Sequence, residues 1–243
     1  MCARVQTVNA ADMSAGSLSE RMAAVARELQ DQQDPVSTVR SGVELAVQNV
    51  GGCDAASVSI VQARRDVSTP ASTDDMAVIG DLLQYETGEG PCLSAIWEEE
   101  TVYVPDLARD PRWLRWGPRL AETTGVRSSF SVRLFTIKDT LGALNMYATK
   151  AGAFSVEDQA EAVAIAAHIA VAVAAAQNLE HFETALDSRT IIAQACGLVM
   201  ERFNIDSTQA FALLSRVSQT QNVKLRDIAA ELVHTRRLPT NPM

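Results

Sequence analysis

The sequence predicts an α+β fold: an antiparallel sheet flanked by helices, a long connecting helix, and an all-α three-helix bundle at the C-terminus. Three patterns carry that expectation. Apolar residues recur at helical spacing near the start, then give way to short β-rich runs between residues 56 and 148. A stepped apolar row follows one helix face from Ile165 to Leu186. Three short amphipathic segments then finish the chain.

Taken in order, Leu18, Met22, Val25 and Leu29 mark a first helix over 18–30. Gln32-Gln33-Asp34-Pro35 ends it, and a second helix runs through Val39, Val43, Leu45 and Val47 to Gly51-Gly52. A strand is expected over 56–61, a polar turn around Arg64 to Asp66, and a helix over 73–85. Pro91 opens a short helix at its favoured first position. Thr101 to Val104 is a strand, and Asp110-Pro111 starts a helix through Trp113 and Leu120 to Gly125. Two longer strands follow, 128–135 and 141–148, with a turn at Lys138-Asp139. Ser155-Val156-Glu157-Asp158 resembles a capping box and begins the long helix.

Along that helix, Ile165, His168, Ala172, Ala175, Leu179, Phe182 and Leu186 step alternately by three and four residues. That is the spacing of a coiled-coil seam, which points to a parallel homodimer; packing within one chain is the alternative. Beyond Asp187-Ser188, the apolar residues Ile192, Ala195, Val199 and Phe203 are expected to be buried by the first bundle helix. Asp206 caps a second helix carrying Ala210, Leu213, Leu214 and Val217. The third carries Leu225, Ile228, Ala229, Leu232 and Val233 and stops at Pro239. The expected division is a flexible start over 1–13, an N-terminal helix over 14–34, a sensor-like domain over 35–178, a bundle over 179–238 and a flexible end over 239–243.

Composition narrows the functional classes. With 47% hydrophobic and 21% charged residues, the chain reads as a folded globular protein rather than a disordered one. No secretory signal is visible at the start, and the apolar run 162–176 falls short of a membrane span, so a cytoplasmic protein without membrane contact is expected. Cys2, Cys53, Cys92 and Cys196 are scattered without a CxxC pair, which argues against an iron–sulfur or structural zinc site. No haem, flavin or metal constellation stands out, and no cofactor is expected. The net charge of −9 is uneven: residues 1–180 carry 14 Lys and Arg against 24 Asp and Glu, whereas residues 181–243 carry 7 against 6. The C-terminal quarter is thus free of the acidic excess that repels phosphates.

The stretch Ser188-Arg189, Gln194-Ala195-Cys196-Gly197-Leu198-Val199-Met200-Glu201-Arg202, Ala210-Phe211-Ala212-Leu213-Leu214 and Lys224-Leu225-Arg226-Asp227-Ile228-Ala229 closely resembles the ANTAR module. The matches fall on all three bundle helices. The resemblance implies a dimeric RNA-binding bundle that holds small hairpins in nascent transcripts and prevents a terminator stem from forming. Arg189, Gln194, Cys196, Arg216, Gln221, Asn222, Lys224 and Arg226 are the candidate RNA-binding positions, offering cations and base-edge donors. Cys196 stands where the family usually has lysine, about 20° from Arg189 on a helical wheel. The bland reading of the charged residues among them is a solvated surface with ion pairs.

Residues 36–176 resemble a GAF domain. The carriers are Gly88-Glu89-Gly90-Pro91-Cys92, Val102-Tyr103-Val104-Pro105-Asp106, and Leu141-Gly142-Ala143-Leu144-Asn145 followed by Phe154 and Asp158. The resemblance implies a dimer and a small-molecule ligand between sheet and helices. Met146 and Gln159 replace the lysine and glutamate of the cyclic-nucleotide signature. Cys92, Trp97, Trp113 and Phe130 are candidate pocket residues, Trp116 beside them, with core packing as the plain alternative. Cys92 sits at a helix start, where the dipole favours a thiolate, so a redox role is also open.

The reading is therefore a GAF–ANTAR transcription antitermination regulator, not an enzyme, with RNA hairpins, a second copy and an unidentified GAF ligand as partners. Two rivals stand beside it. One is a DNA-binding helix-turn-helix, weakened because the candidate recognition helix presents Asp227 and Glu231. The other is a redox enzyme built on the GAF fold.

Overall fold

The computed structural model describes residues 17–32, 34–62, 66–137 and 139–237. The expected flexible ends 1–13 and 239–243, the stop at Pro239 and the turn residues Arg64 and Lys138 lie outside them. The elements are α1 (Leu18–Gln30), α2 (Pro35–Asn49), β1 (Ala55–Val61), β2 (Val67–Ser72), α3 (Asp75–Thr87), α4 (Pro91–Trp97), β3 (Thr101–Val104), α5 (Gly117–Thr124), β4 (Ser128–Phe135), β5 (Thr140–Ala148), α6 (Val156–Phe203), α7 (Ser207–Gln221) and α8 (Leu225–Thr235). The chain divides into two compact units, 1–177 and 178–243, which share α6.

In the first unit the strands form one antiparallel sheet in the order β2-β1-β5-β4-β3. Because side chains alternate along a strand, each strand feeds two different layers. Ala56, Val58, Phe130, Val132, Leu134, Leu144, Met146 and Ala148 point to one face and pack with α1, α2 and α6 through Val25, Val43, Leu45, Ile165, Ile169 and Val173. Arg21 on α1 pairs with Glu161 on α6 at the margin of this layer. The intervening residues Ser57, Ser59, Ser131, Asn145 and Tyr147 point to the other face, under α3 and α4. The expected cap of α6 is present: Asp158 N–H donates to Ser155 Oγ (3.2 Å), and Ser155 N–H donates to Asp158 Oδ2 (2.8 Å).

Three expectations are corrected here. The sequence reading assigns nothing between the turn at Asp66 and Thr73; β2 there is an edge strand, where Pro70 is tolerated because no inner ladder bond is lost. The helix expected from Thr73 starts only at Asp75, capped by Asp74, whose carboxylate accepts from Met76 N–H (2.8 Å). The helix expected from Asp110 starts only at Gly117: Asp110 instead holds Arg112 N–H (3.0 Å) in a turn, and Trp113 and Trp116 are buried by the irregular stretch that follows.

In the second unit the C-terminal part of α6, α7 and α8 bury Ala195, Val199, Ala210, Leu214, Ile228, Ala229 and Leu232 against one another. Asp206 and Gln209 form a capping box at the start of α7. The turns of this unit use Asn204, Asn222 and Arg236 in the left-handed region, with φ of 48°, 51° and 58°. Phe203 departs from expectation: it is 46% exposed rather than buried in the bundle.

The sheet has no room at Gly142. A Cβ there would collide with the Ser59 carbonyl oxygen on β1, in the strand pair that carries the centre of the sheet. Gly142→Ala is expected to destabilise the first unit by about 3 kcal/mol, since relief requires one of two central strands to shift. Thermal melts of the purified variant measure it, and an unchanged midpoint contradicts this packing.

Candidate functional site

The polar face of the sheet closes over one carboxylate. Asp81 projects from α3 and is fully buried. Its Oδ2 accepts from Ser57 Oγ (2.7 Å), Thr69 Oγ1 (2.8 Å) and Ser59 Oγ (3.4 Å), while Oδ1 accepts from Tyr147 OH (2.6 Å) and Asn145 Nδ2 (3.1 Å). A second tier extends outward. The Tyr85 hydroxyl bonds those of Ser59 (2.7 Å) and Thr69 (2.9 Å), and Ser131 Oγ donates to Asn145 Oδ1 (2.9 Å). Gln84 Nε2 donates to Tyr147 OH (3.3 Å), and its Oε1 accepts from Cys92 N–H (2.7 Å). Burial pushes the Asp81 carboxyl up from its usual range, and the hydroxyl donors offset only part of that cost. Tyr85 and Tyr147 are likewise raised, first by burial and then by the nearby Asp81.

Cys92 belongs to this cluster. Its thiol is fully buried and donates to Ser59 Oγ at 3.2 Å. Burial, followed by the proximity of Asp81, pushes it up to about 12. The thiolate that a helix start favours is therefore outweighed by desolvation, and the side chain is a neutral donor at physiological pH. Cys53 is pushed up to about 12 as well, again by burial first.

The four expected pocket residues are not brought together. Phe130 lies on the opposite sheet face, in an aromatic group with Tyr103 (6.2 Å) and Phe154 (6.3 Å), because it sits one strand position out of phase with Ser129 and Ser131. Trp113 packs edge-on against Trp116 (6.2 Å) on the Cys92 side, and Trp116 Nε1 donates to the Gly80 carbonyl (2.9 Å). Trp97, at the end of α4, is partly exposed. Among these four, only Cys92 touches the Asp81 cluster. Sequence reading did not single out Asp81, Ser57, Ser59, Thr69, Tyr85 and Tyr147. Their signal was available as strands with hydroxyl residues at every second position, beside a carboxylate on a facing helix.

The expected seam divides in two. Ile165 is fully buried in the sheet's own core, and His168 and Ala172 are partly covered, so these serve the first unit. Ala175 and, further on, Leu179 (49% exposed), Phe182 (62%) and Leu186 (46%) stand open. By length and composition α6 could cross a bilayer, with a mean hydropathy of 1.7 over its most apolar window. Ala162, Ile165, Ala166, Ile169, Ala170 and Val173 within it are nevertheless buried against the sheet, as in a core helix.

In the second unit the expected RNA-binding positions fall into two groups. Gln194, Arg216, Asn222, Lys224 and Arg226 are exposed. Asn222 ends α7 in the left-handed conformation, Lys224 is the N-cap residue of α8, and Arg226 pairs with Asp227 at 3.3 Å, leaving both at the surface. Gln221 is partly buried at the end of α7. Arg189, also exposed, and the half-buried Cys196 line a groove of about 460 Å³ with Ile192, Ala193, Gly197, Met200, Ser207 and Phe211.

Comparison with known proteins bears on both units. The GAF domain family model matches residues 32–174, and the ANTAR domain family model matches residues 180–233. No curated protein sequence matches the chain. Among solved structures, it resembles the GAF domain of a phosphoenolpyruvate-protein phosphotransferase from Coxiella burnetii (18% identity, TM-score 0.54, covering 72% of this chain and 99% of that one). It also resembles the free methionine-R-sulfoxide reductase of Neisseria meningitidis in complex with its substrate (17%, 0.54, 72% and 96%). A third is the phytochrome photosensory core module of Stigmatella aurantiaca (15%, 0.57, 88% and 46%). At these identities the likeness is one of fold.

The raised Asp81 carboxyl has a signed consequence. A group whose folded pKa lies above its unfolded value contributes stability below the unfolded pKa, and that contribution is lost as pH rises through the folded one. Asp81→Asn cannot titrate, and its amide still meets hydroxyls that both donate and accept. Wild type should therefore lose stability relative to Asp81→Asn as pH rises from about 4, by up to about 1.4 kcal/mol per pH unit across the window. Melts of both proteins over a pH series test this, and parallel curves exclude a raised Asp81.

Proposed function

From the premise that the chain belongs to the GAF domain family and carries an ANTAR domain behind it, we propose that it is a homodimeric transcription antitermination regulator that binds hairpin RNA in nascent transcripts under control of its GAF domain. The ANTAR match over 180–233, falling on a three-helix bundle with exposed cations at one helix start, is the observation that supports this most. Asn222, Lys224 and Arg226 sit close in sequence around the α7–α8 turn. Together they offer an amide for a base edge and two cations for phosphates, the combination that reads unstacked loop bases. Arg216 and Gln194 add to the exposed polar surface.

Control enters through the first unit. Six hydroxyl groups, the Asn145 amide and the Asp81 carboxyl bond one another under α3, so a GAF ligand entering there would be a small polar molecule that takes over part of this mutual hydrogen bonding. Cys92, buried and held neutral, favours sensing over redox turnover at this site. The protein is proposed to act in the cytoplasm, where nascent transcripts are.

Two experiments bear on this reading. Lys224→Ala and Arg226→Ala should each weaken hairpin RNA binding and lower the salt slope by about 0.7 per lost phosphate contact. Titrations at several salt concentrations measure it, and unchanged affinity and slope would remove this surface from the site; tighter binding to duplex DNA than to hairpins would favour the helix-turn-helix reading. Leu179→Glu, which puts a charge into the seam, should cost the dimer on the order of 3 kcal/mol and give monomers in sedimentation. A dimer of unaltered affinity would mean that the open stripe is not its interface.

A further inference from the structure

Where the end of α6 meets the end of α8, the second unit holds a cavity of about 210 Å³. Its floor is apolar: Leu198 and Val199 of α6 with Leu232 of α8, of which Val199 and Leu232 belong to the buried core of the bundle. Its rim is of another kind. Glu201, Arg202 and Phe203 stand on the last turn of α6, and Arg236 stands just past α8. Asn204 and Arg237, both exposed, follow directly on the two helix ends.

The rim side chains are not spent on the bundle itself. Phe203 is 46% exposed, although its helical spacing suits a core position. Arg202 Nη2 donates to the Arg236 carbonyl (2.9 Å), which fixes one guanidinium at the rim. Among the described residues no carboxylate pairs with Arg202, Arg236 or Arg237. Arg236 is also held at a cost. It caps α8 with φ of 58°, its N–H bonded to the Leu232 carbonyl, a position that glycine ordinarily fills. A side chain kept on strained backbone beside a cavity points to a use for that side chain.

The mixture of groups narrows the occupant. A bare anion would lie against apolar side chains and Glu201, at the ends of two helices whose terminal carbonyls repel it. An aliphatic ligand would leave the guanidiniums unanswered. A nucleobase on its backbone meets each group in turn. Its ring covers the apolar floor and stacks on an aromatic or guanidinium plane, its exocyclic amino group donates to a carboxylate, and its phosphate accepts from arginine.

We propose that this cavity takes one unstacked base of the bound RNA loop, a base with an exocyclic amino group. The ring lies against Phe203, the amino group donates to Glu201, and the adjoining phosphate is held by Arg236 and Arg237. This rests on the hairpin-binding reading above and adds to it a specificity element. It lies at the opposite end of α8 from Lys224, about 16 Å away at 1.5 Å of rise per residue. Uracil, without an amino group, is the base this site rejects.

Hairpins of one stem and a randomised loop, selected on the full chain, test it. One loop position should exclude uracil. Glu201→Gln, whose amide can donate as well as accept, should admit uracil there. Phe203→Leu should weaken the selected hairpin about tenfold or more, while Phe203→Tyr keeps its affinity. Arg236→Gly relieves the left-handed cap, so it should melt no lower than wild type yet lose about 0.7 of the salt slope. Hairpin binding with no base preference, or undiminished in Phe203→Leu, would overturn the base site and leave the hairpin reading standing. A wild type that binds no hairpin would overturn both. A lower melt of Arg236→Gly with unchanged RNA affinity would make Arg236 a structural cap and overturn its phosphate contact. Calorimetric binding of adenosine monophosphate that Phe203→Leu abolishes, with hairpin affinity unchanged in that variant, would assign the cavity to a free nucleotide instead.

Discussion

Every partner of the Asp81 carboxylate is neutral: three hydroxyl side chains of β1 and β2, a tyrosine and an asparagine of β5. A carboxyl group taken fully out of water without a cation must be met by donors or hold its proton, and here both pressures act. That requirement fixes much of the first unit. It demands hydroxyl or amide residues at alternate positions of β1, β2, β4 and β5, and it demands that α3 lie across those strands. The register follows, because Ser57 must oppose Asn145 and Ser131 must oppose Asn145 from the other side for the network to close. A slip by one residue would send the serines into the apolar layer and Phe130 and Met146 under Asp81.

α6 solves a different problem. One helix is asked to cover a sheet, to complete a bundle, and to leave a face open between and beyond them. It does so by phase. Ile165, Ile169 and Val173 belong to the sheet's core, Ala195 and Val199 to the bundle's, and Leu179, Phe182 and Leu186 to neither. Alanine makes this workable, because a small side chain is acceptable on a face whichever side is finally covered.

This division explains which parts of the protein can be read from its sequence. The amphipathic ends of the chain were legible: the α6 cap at Ser155, the Asp206 box and the two long strands declare themselves by local residue types and periodicity. β2 was not legible, because an edge strand with a proline and three hydroxyl residues has no apolar alternation to display. The helix expected from Asp110 failed because Trp113 and Trp116 mimic helical spacing while serving as anchors for a loop. At the site, Phe130 was read as a companion of Cys92 since aromatic residues suggest a pocket wall, but a strand sends neighbours to opposite faces. Asp81 was missed for the converse reason. A lone aspartate on a helix reads as surface until the sheet beneath it is known to be lined with hydroxyls.

The turns of the second unit end on Asn204, Asn222 and Arg236 in the left-handed region, whereas the corresponding positions of the first unit, Gly52, Gly88, Gly90, Gly125 and Gly152, are glycines. Asparagine visits that conformation readily, but Arg236 there costs roughly 1–2 kcal/mol, and a bundle this small has little buried surface to offset it. Whatever binds the folded bundle and not the unfolded chain raises its stability by mass action. Were the unit to dimerise as proposed, its assembly and its folding would be one equilibrium viewed from two sides. The cellular concentration of the protein would govern the fraction of bundles intact, so expression level would itself act as an input alongside any ligand of the sheet.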